Sequence, residues 1–179
     1  MQKIATVIPL DVSDESSIAK LSSFIKHPID ILINNSGLMK RDQLPGIKQT
    51  DLLEQFKINA CGPIFVSQAL IELLETAEHP KVINVTSRMG SIEDNTSGSR
   101  YGYRASKAAL NIMTKSFSID KPNIITILIH PGYIKTDMTG LNGDMLPDEA
   151  VERMSKIILK ADKDSAGKFF HRDGQILPW

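Results

Sequence analysis

Four short apolar segments, separated by stretches with helical periodicity, constrain the fold of this chain more than any other feature. They occupy residues 4–10, 29–33, 82–85 and 124–130. Each is continuously apolar rather than alternating, which is typical of strands that are buried on both faces of a parallel sheet. The sequence therefore predicts an α/β fold with a doubly wound parallel sheet.

The intervening stretches have apolar side chains at helical spacing, and they occupy residues 14–26, 50–75, 106–117 and 147–159. Ser13 or Asp14 is a suitable N-cap for the first of these helices. Gly62 and Pro63 lie within the second and predict a kink. The tail, residues 167–179, has a short aromatic run and an Asp-Gly turn signal. We expect one domain over residues 1–179.

Composition excludes several classes of protein. The 179 residues carry 21 basic and 21 acidic side chains, so no excess of positive charge favours nucleic acid or an anionic membrane surface. No apolar run has the length of a membrane-spanning helix. A single cysteine, Cys61, excludes an internal disulfide. We expect a cytoplasmic protein without metal, nucleic-acid or membrane partners.

Ligands in such folds bind beyond the carboxyl ends of the strands, and small polar residues follow the strands here. Asn35 and Gly37 follow the second strand, where glycine lets the backbone approach a ligand closely. Ser87 follows the third strand and could donate a hydrogen bond to a substrate carbonyl. Each motif alone is also compatible with an ordinary turn.

Tyr103 and Lys107 are four residues apart, which places them on one face of the third helix. An ammonium group beside a phenol favours the phenolate and lowers its pKa, so that the phenol can exchange protons nearer neutral pH. The alternative is a surface tyrosine stacked on a lysine stem. Pro131 and Gly132 predict a rigid turn after the fourth strand, and Thr136 could bond a cofactor amide or phosphate, unless this is a plain loop. His130 is interpreted as a strand-end residue.

Together and in this order, the motifs resemble those of the short-chain dehydrogenase/reductase family. The residues that carry the resemblance are Asn34-Asn35-Ser36-Gly37 (Asn-Asn-Ala-Gly in the family), Asn59, Ser87, Tyr103-x-x-x-Lys107 and Pro131-Gly132 with Thr136. The tail is similar to that of the C-factor-like and sniffer-type carbonyl reductases. The resemblance covers essentially the whole chain and implies a Rossmann-like fold.

The resemblance also implies hydride transfer between a nicotinamide and a carbonyl or secondary alcohol of a small molecule. Tyr103 would be the general acid, and Lys107 would lower its pKa and hold the nicotinamide ribose. Ser87 would bond the carbonyl oxygen, and Asn59 would hold a water that relays protons to Lys107. Further cofactor contacts would come from Asp11 and Val12 at the adenine, Asn35 and Gly37 at its ribose, Ile134 and Thr136 at the nicotinamide carboxamide, and Pro131 and Gly132. The choice between NAD and NADP stays open, as does a homo-oligomer.

One departure from the family is evident in the sequence. The strand, Gly-rich turn, helix and strand with which the family begins have no counterpart here, so the fold is expected to be truncated at its N-terminus. Residues 29–33 should then form a sheet edge, and residues 4–10 would lie three strand spacings, roughly 14 Å, from it. Three explanations are open: residues 4–10 pair differently, another chain covers the edge, or the chain is part of a longer protein. We favour the last. The functional alternative is a catalytically silent interaction protein or fragment that has lost cofactor binding.

Overall fold

A parallel sheet of four strands forms the centre of the computed structural model, which describes residues 5–179. The strands are β1 (Ile31–Asn34), β2 (Lys81–Val85), β3 (Ile125–His130) and β4 (Phe169–His171), and they lie side by side in that order. Ile31 pairs with Lys81, and Lys81 in turn with Ile125. All carboxyl ends therefore meet at one edge.

Within residues 5–179, seven α-helices connect and flank the strands. They are α1 (Glu15–Ala19), α2 (Leu21–Phe24), α3 (Gln49–Phe56), α4 (Gly62–Ala69), α5 (Ile71–Glu75), α6 (Tyr101–Asp120) and α7 (Pro147–Lys160). A π-helical turn, Lys57–Cys61, joins α3 to α4. Short 3-10 turns occupy Arg88–Gly90, Asp137–Thr139 and Lys163–Ser165. None of the helices within residues 5–179 is long and apolar enough to cross a membrane.

Both faces of the sheet are covered, as the continuously apolar strands predict. On one face, Ile127 and Ile129 of β3 pack with Ile158 of α7. On the other face, Leu128 packs with Leu110 of α6. The predicted doubly wound α/β sheet is confirmed.

The first predicted strand, residues 4–10, is wrong for the part that the structure describes. Residues 5–10 form no strand and are mostly exposed, while Ile4 lies outside the described residues. A strand is stable only beside a partner that takes up its backbone hydrogen bonds, and in the described part of the chain β1 pairs with β2 alone. The prediction that residues 29–33 form a sheet edge is confirmed. Strand β1 lies at the end of the strand order, and its Ile31 and Ile33 remain 37% and 49% exposed.

Other elements differ from the prediction in their bounds. The first predicted helix is two short ones, and Asp14 caps α1 by accepting a hydrogen bond from the backbone of Ser16. The kink expected at Gly62 and Pro63 is a π-helical turn that ends at Cys61. The helix predicted for residues 106–117 begins five residues earlier. The aromatic run in the tail is the strand β4.

Candidate active site

The site begins where β2 ends. Ser87 follows this strand in extended conformation, and its hydroxyl accepts a hydrogen bond from the backbone of Met89 over 3.1 Å. This bond caps the 3-10 turn Arg88–Gly90 and fixes the orientation of the Ser87 side chain. Ser87 is buried, but its position at the edge of the sheet directs it toward the start of α6.

A buried carboxylate sets the start of α6, and therefore the position of Tyr103. Asp42 Oδ2 accepts a hydrogen bond from the backbone N–H of Gly102 over 3.0 Å. This satisfies one of the free donors of the first turn. A Cβ at Gly102 would lie 2.3 Å from Gln55 Nε2, so a larger residue would force the buried Gln55 side chain to move. Tyr103 thus lies in the first turn of α6, at a fixed distance from the sheet.

Tyr103 and Lys107 share one face of α6, as predicted. Lys107 Nζ lies 5.9 Å from the centroid of the Tyr103 ring, and both side chains are buried. Burial raises the pKa of the Tyr103 phenol, and the neighbouring Ser87 hydroxyl opposes this increase. The direction is opposite to the lowering that we expected from Lys107, because burial disfavours the charged phenolate.

The Lys107 side chain is anchored to the sheet. Its Nζ donates a hydrogen bond of 2.9 Å to the carbonyl oxygen of Val85, the last residue of β2. Burial lowers the pKa of this lysine to about 8. The ammonium therefore loses its proton much more readily than that of an exposed lysine.

Asn59 lies in the π-helical turn and is fully buried. Its side-chain amide accepts from the backbone N–H of Leu38 and donates to the carbonyl of Leu38, both over 2.7 Å. It also donates to Ser106 Oγ of α6 over 2.9 Å. Asn59 consequently holds the segment after β1 against the helix that carries Tyr103.

Gly37 lies between the side chains of Asn59 and Lys107 and leaves an open space beside them. A Cβ at this position would lie 3.5 Å from Asn59 Oδ1, 3.8 Å from Lys107 Nζ and 3.8 Å from Met138 Cε. These are ordinary contact distances, so a single methyl group would fill the space beside the lysine ammonium. Because Gly37 has no side chain, that space stays free.

Two buried pairs of polar side chains hold α6 on β2 below the site. Asn84 Nδ2 donates to Thr114 Oγ1 over 2.8 Å, and Thr86 Oγ1 donates to Asn111 Oδ1 over 2.7 Å. Asn34 of β1 extends the first pair, because its Nδ2 donates to Asn84 Oδ1 over 2.8 Å. Together with the bond from Lys107 to Val85, these contacts fix the rotation of α6 about its axis.

The residues predicted at the adenine lie at the free edge of β1. Val12 and Asn35 line one cavity of about 110 Å³, whose walls also include Pro63 and Val66. A Cβ at Gly62 would lie 2.9 Å from the carbonyl oxygen of Val12, so glycine is needed for this approach. Asp11 is exposed and caps the turn before α1 by accepting bonds from the backbone and hydroxyl of Ser13.

The residues predicted at the nicotinamide lie in the loop after β3, residues 131–146. Pro131 and Gly132 form its first turn, Ile134 is buried, and Thr136 precedes the 3-10 turn Asp137–Thr139. Among the hydrogen bonds of residues 5–179, none joins Ile134 or Thr136 to Tyr103 or Lys107. The loop reaches the site through Met138, at Gly37.

Sequence reasoning missed several residues that shape the site. They are Leu38, Asp42, Gln55, Ser106, Asn111 and Met138. Most act through contacts between residues that are far apart along the chain, for which a single sequence gives no signal. Within the described part of the chain, no group of three or more His, Cys, Asp or Glu side chains could hold a metal ion.

Comparisons with known proteins agree with this geometry. The family model described as short chain dehydrogenase matches residues 1–146. C-signal of Myxococcus xanthus is 39% identical over 155 residues, which cover 85% of this chain and 93% of that protein. The crystal structure of NADPH-bound carbonyl reductase from chicken fatty liver superposes with a TM-score of 0.92 at 29% identity, covering 97% of this chain and 77% of that one. Carbonyl reductase Sniffer of D. melanogaster gives 0.90 at 30% identity, covering 96% and 77%.

Proposed function

Because this chain belongs to the short-chain dehydrogenase family, we propose that it transfers a hydride between NAD(P)(H) and the carbonyl or secondary alcohol carbon of a small molecule. The observation that carries the proposal is the convergence of Ser87, Tyr103 and Lys107 at the carboxyl edge of the sheet. A hydroxyl, a phenol and an ammonium there can bind and protonate a carbonyl oxygen.

The residues present fit a dinucleotide at both of its ends. The space above Gly37 lies beside Lys107, whose ammonium would bond ribose hydroxyls. Val12 and Asn35 line a cavity that would receive the adenine side of the cofactor. Asp11 directly precedes Val12 in the chain. Pro131, Gly132, Ile134 and Thr136 would contact the carboxamide end. The bound nicotinamide supplies or accepts the hydride. The NADPH in the chicken enzyme supports this class of cofactor and leaves the choice between NAD and NADP open.

Tyr103 would be the proton donor in the direction of reduction. Burial raises the pKa of its phenol, so the group is protonated at neutral pH, which is the form that a general acid needs. As the carbonyl carbon receives the hydride, its oxygen would take the proton of the Tyr103 hydroxyl. The alcohol product then leaves a phenolate that must be reprotonated before the next turnover.

The remaining groups would stabilise negative charge that develops during the reaction and would position the reacting groups. The Ser87 hydroxyl would donate to the carbonyl oxygen as negative charge develops on it. The Lys107 ammonium would stabilise the Tyr103 phenolate after proton transfer. Asn59 holds Leu38 and Ser106, and a water near it could return protons to Lys107.

The test is oxidation of NADPH and NADH by the purified chain with a panel of aldehydes and ketones. We expect turnover with at least one carbonyl substrate, and Tyr103→Phe to lower kcat by about 100-fold or more while cofactor affinity stays within about twofold. Turnover that Tyr103→Phe leaves unchanged would refute the assigned acid.

A catalytically silent protein is the second candidate. It is favoured by the sequence, in which no Gly-rich Thr-Gly-x-x-x-Gly-x-Gly turn provides a pyrophosphate site, and by the exposed edge of β1. Calorimetry separates the two candidates. Binding of NADPH or NADH in the micromolar range supports the enzyme, and no binding at millimolar cofactor supports the silent protein.

A further inference from the structure

We propose that Arg172, assisted by Asp173, is a positioning residue that braces both ends of the loop at residues 131–146 and so holds it in the shape that receives the nicotinamide. The inference rests on the proposed function for the ligand, but the brace itself is a property of this chain. Both residues belong to the turn that follows β4, and neither has a part in the site described above.

The first contact of the brace is made at the start of the loop. Arg172 Nη1 donates a hydrogen bond of 2.9 Å to the carbonyl oxygen of Pro131. The backbone N–H of Arg172 also donates to the carbonyl oxygen of His130 over 2.9 Å. One residue thus bonds two successive carbonyls at the point where β3 becomes the loop.

The guanidinium also packs directly on Gly132. A Cβ at Gly132 would lie 1.3 Å from Arg172 Nη1, so any side chain here would displace the guanidinium from its present position. Gly132 has φ +90°, a conformation that L side chains rarely adopt. The turn and the arginine are therefore matched in shape, and loss of either partner frees the other.

Burial shows that this arginine differs from a surface one. The Arg172 side chain is only 12% exposed, and its buried Nε has no hydrogen-bond partner among the described residues. Removing a guanidinium from water without satisfying all its donors is unfavourable. The packing on Gly132 and the bond to Pro131 must compensate this cost, which ties the arginine to one conformation.

The second contact is made beyond the other end of the loop. Asp173 Oδ1 accepts a charge-assisted bond from Arg153 Nη1 of α7 over 2.7 Å. Helix α7 begins at Pro147, directly after the loop. Both Arg153 and Asp173 are nearly half exposed, so this ion pair contributes little by itself. Arg172 is accordingly the principal member of the brace.

The braced ends lead to the active site through the loop itself. Ile134 and Met145 form an isolated β-bridge, and Lys135 N–H bonds the carbonyl of Met145 over 3.0 Å. Beyond this bridge, Met138 reaches the space above Gly37 beside Lys107. A change in the angle of the Pro131–Gly132 turn would therefore move Met138 relative to the lysine.

Hydrogen exchange of the chain without cofactor tests the brace. In Arg172→Ala we expect the amides of Lys135 and Asp144, which bond across the base of the loop, to exchange about tenfold faster or more. The amide of Leu128 in β3 should be unchanged and reports intact global folding. Gln175→Ala, an exposed change in the same tail, is the matched control and should leave all three amides unchanged. Unchanged loop exchange in Arg172→Ala would overturn the brace.

Cofactor titration tests the consequence for the ligand. We expect Arg172→Ala to raise the Kd of NADPH about tenfold, and Arg172→Lys, which retains one donor for Pro131, to restore part of the affinity. Arg153→Gln should change Kd by only about twofold, because its ion pair is exposed. Equal affinity in Arg172→Ala and the unsubstituted chain would overturn the positioning role. If the unsubstituted chain binds no cofactor, the proposed function fails, and with it the nicotinamide part of this inference, while the exchange rates still decide the brace.

Should Arg172→Ala accelerate exchange at Leu128 as well, the fold itself is loosened. Arg172→Met, which keeps an unbranched side chain for packing but has no donor for Pro131, then takes its place in both measurements, with the same criteria for the amides of Lys135 and Asp144. Faster exchange at those two amides alone supports the brace, and equal acceleration at all three overturns it.

Discussion

Lys107 Nζ donates a hydrogen bond to the carbonyl oxygen of Val85 over 2.9 Å, which ties the candidate catalytic lysine to the last residue of a central strand. The bond ties the ammonium to a strand of the sheet and restricts the conformations of the Lys107 side chain. Such preorganisation reduces the entropy that must be lost on binding. It also places a cation in a buried environment, with a measurable effect on stability.

The stability of the protein should depend on pH through Lys107. Burial lowers its pKa to about 8 from 10.5, so between these values the unfolded chain binds more protons than the folded one. The free energy of unfolding should therefore rise with pH across this window, relative to Lys107→Met, by about 3 kcal/mol. Urea denaturation of both proteins from pH 7 to 10.5 measures the difference. A difference that stays constant with pH would contradict the lowered pKa.

Gly37→Ala should separate folding from cofactor binding. The added methyl meets Asn59 Oδ1, Lys107 Nζ and Met138 Cε only at ordinary contact distances, so the free energy of unfolding should change by less than about 1 kcal/mol. It fills the space in which a ribose would approach Lys107, so the Kd of NADPH should rise about tenfold or more. Thermal denaturation and fluorescence titration measure the two effects. Unchanged affinity would show that no ligand occupies this space.

Asn84 should contribute to stability more than a buried hydroxyl on the neighbouring strand. Its amide bonds both Asn34 and Thr114, and Asn84→Ala also leaves a cavity, so we expect a loss of about 2–4 kcal/mol. Thr126→Val is the control, because Thr126 Oγ1 bonds only the carbonyl of Ile124, and it should cost about 1 kcal/mol. Equal costs in denaturant titrations would argue against the network between β1, β2 and α6.

The exposed edge of β1 should promote aggregation. Ile33→Lys places a charge on this edge and should slow aggregation at high protein concentration, measured by light scattering, with a small effect on stability. Val7→Lys is the matched control, since it adds the same charge at a 92% exposed residue outside the sheet. If both variants slow aggregation equally, net charge rather than the edge is responsible.

Hydrophobic pattern and motif order predicted most of the sheet. Residues 82–85 and 124–130 coincide with β2 and β3 to within one residue, because strands buried on both faces must be apolar throughout. The proximity of Tyr103 and Lys107 also followed from helical spacing alone. These features depend on local sequence, which is why one chain sufficed to predict them.

Features that depend on contacts between residues far apart in the sequence could not be predicted from local pattern. Residues 5–10 have the composition of a strand, but no strand of the described chain pairs with them, so they do not form one. The pKa of Tyr103 is raised because its phenol is buried, which the spacing does not reveal. The brace by Arg172 joins positions 41 residues apart, and no motif in the tail indicated it.

The π-helical turn Lys57–Cys61 has a consequence for how this sequence can vary. Its extra residue gives α4 an angular offset of roughly 100° from the direction in which α3 alone would continue. Deletion of one residue here would turn Gly62 away from Val12 and would withdraw the carbonyl of Pro63 and the hydroxyl of Ser67 from Asn34. The length of this segment is thus as constrained as its composition, because a one-residue gap would disrupt the contacts of α4 with Val12 and with β1 at once.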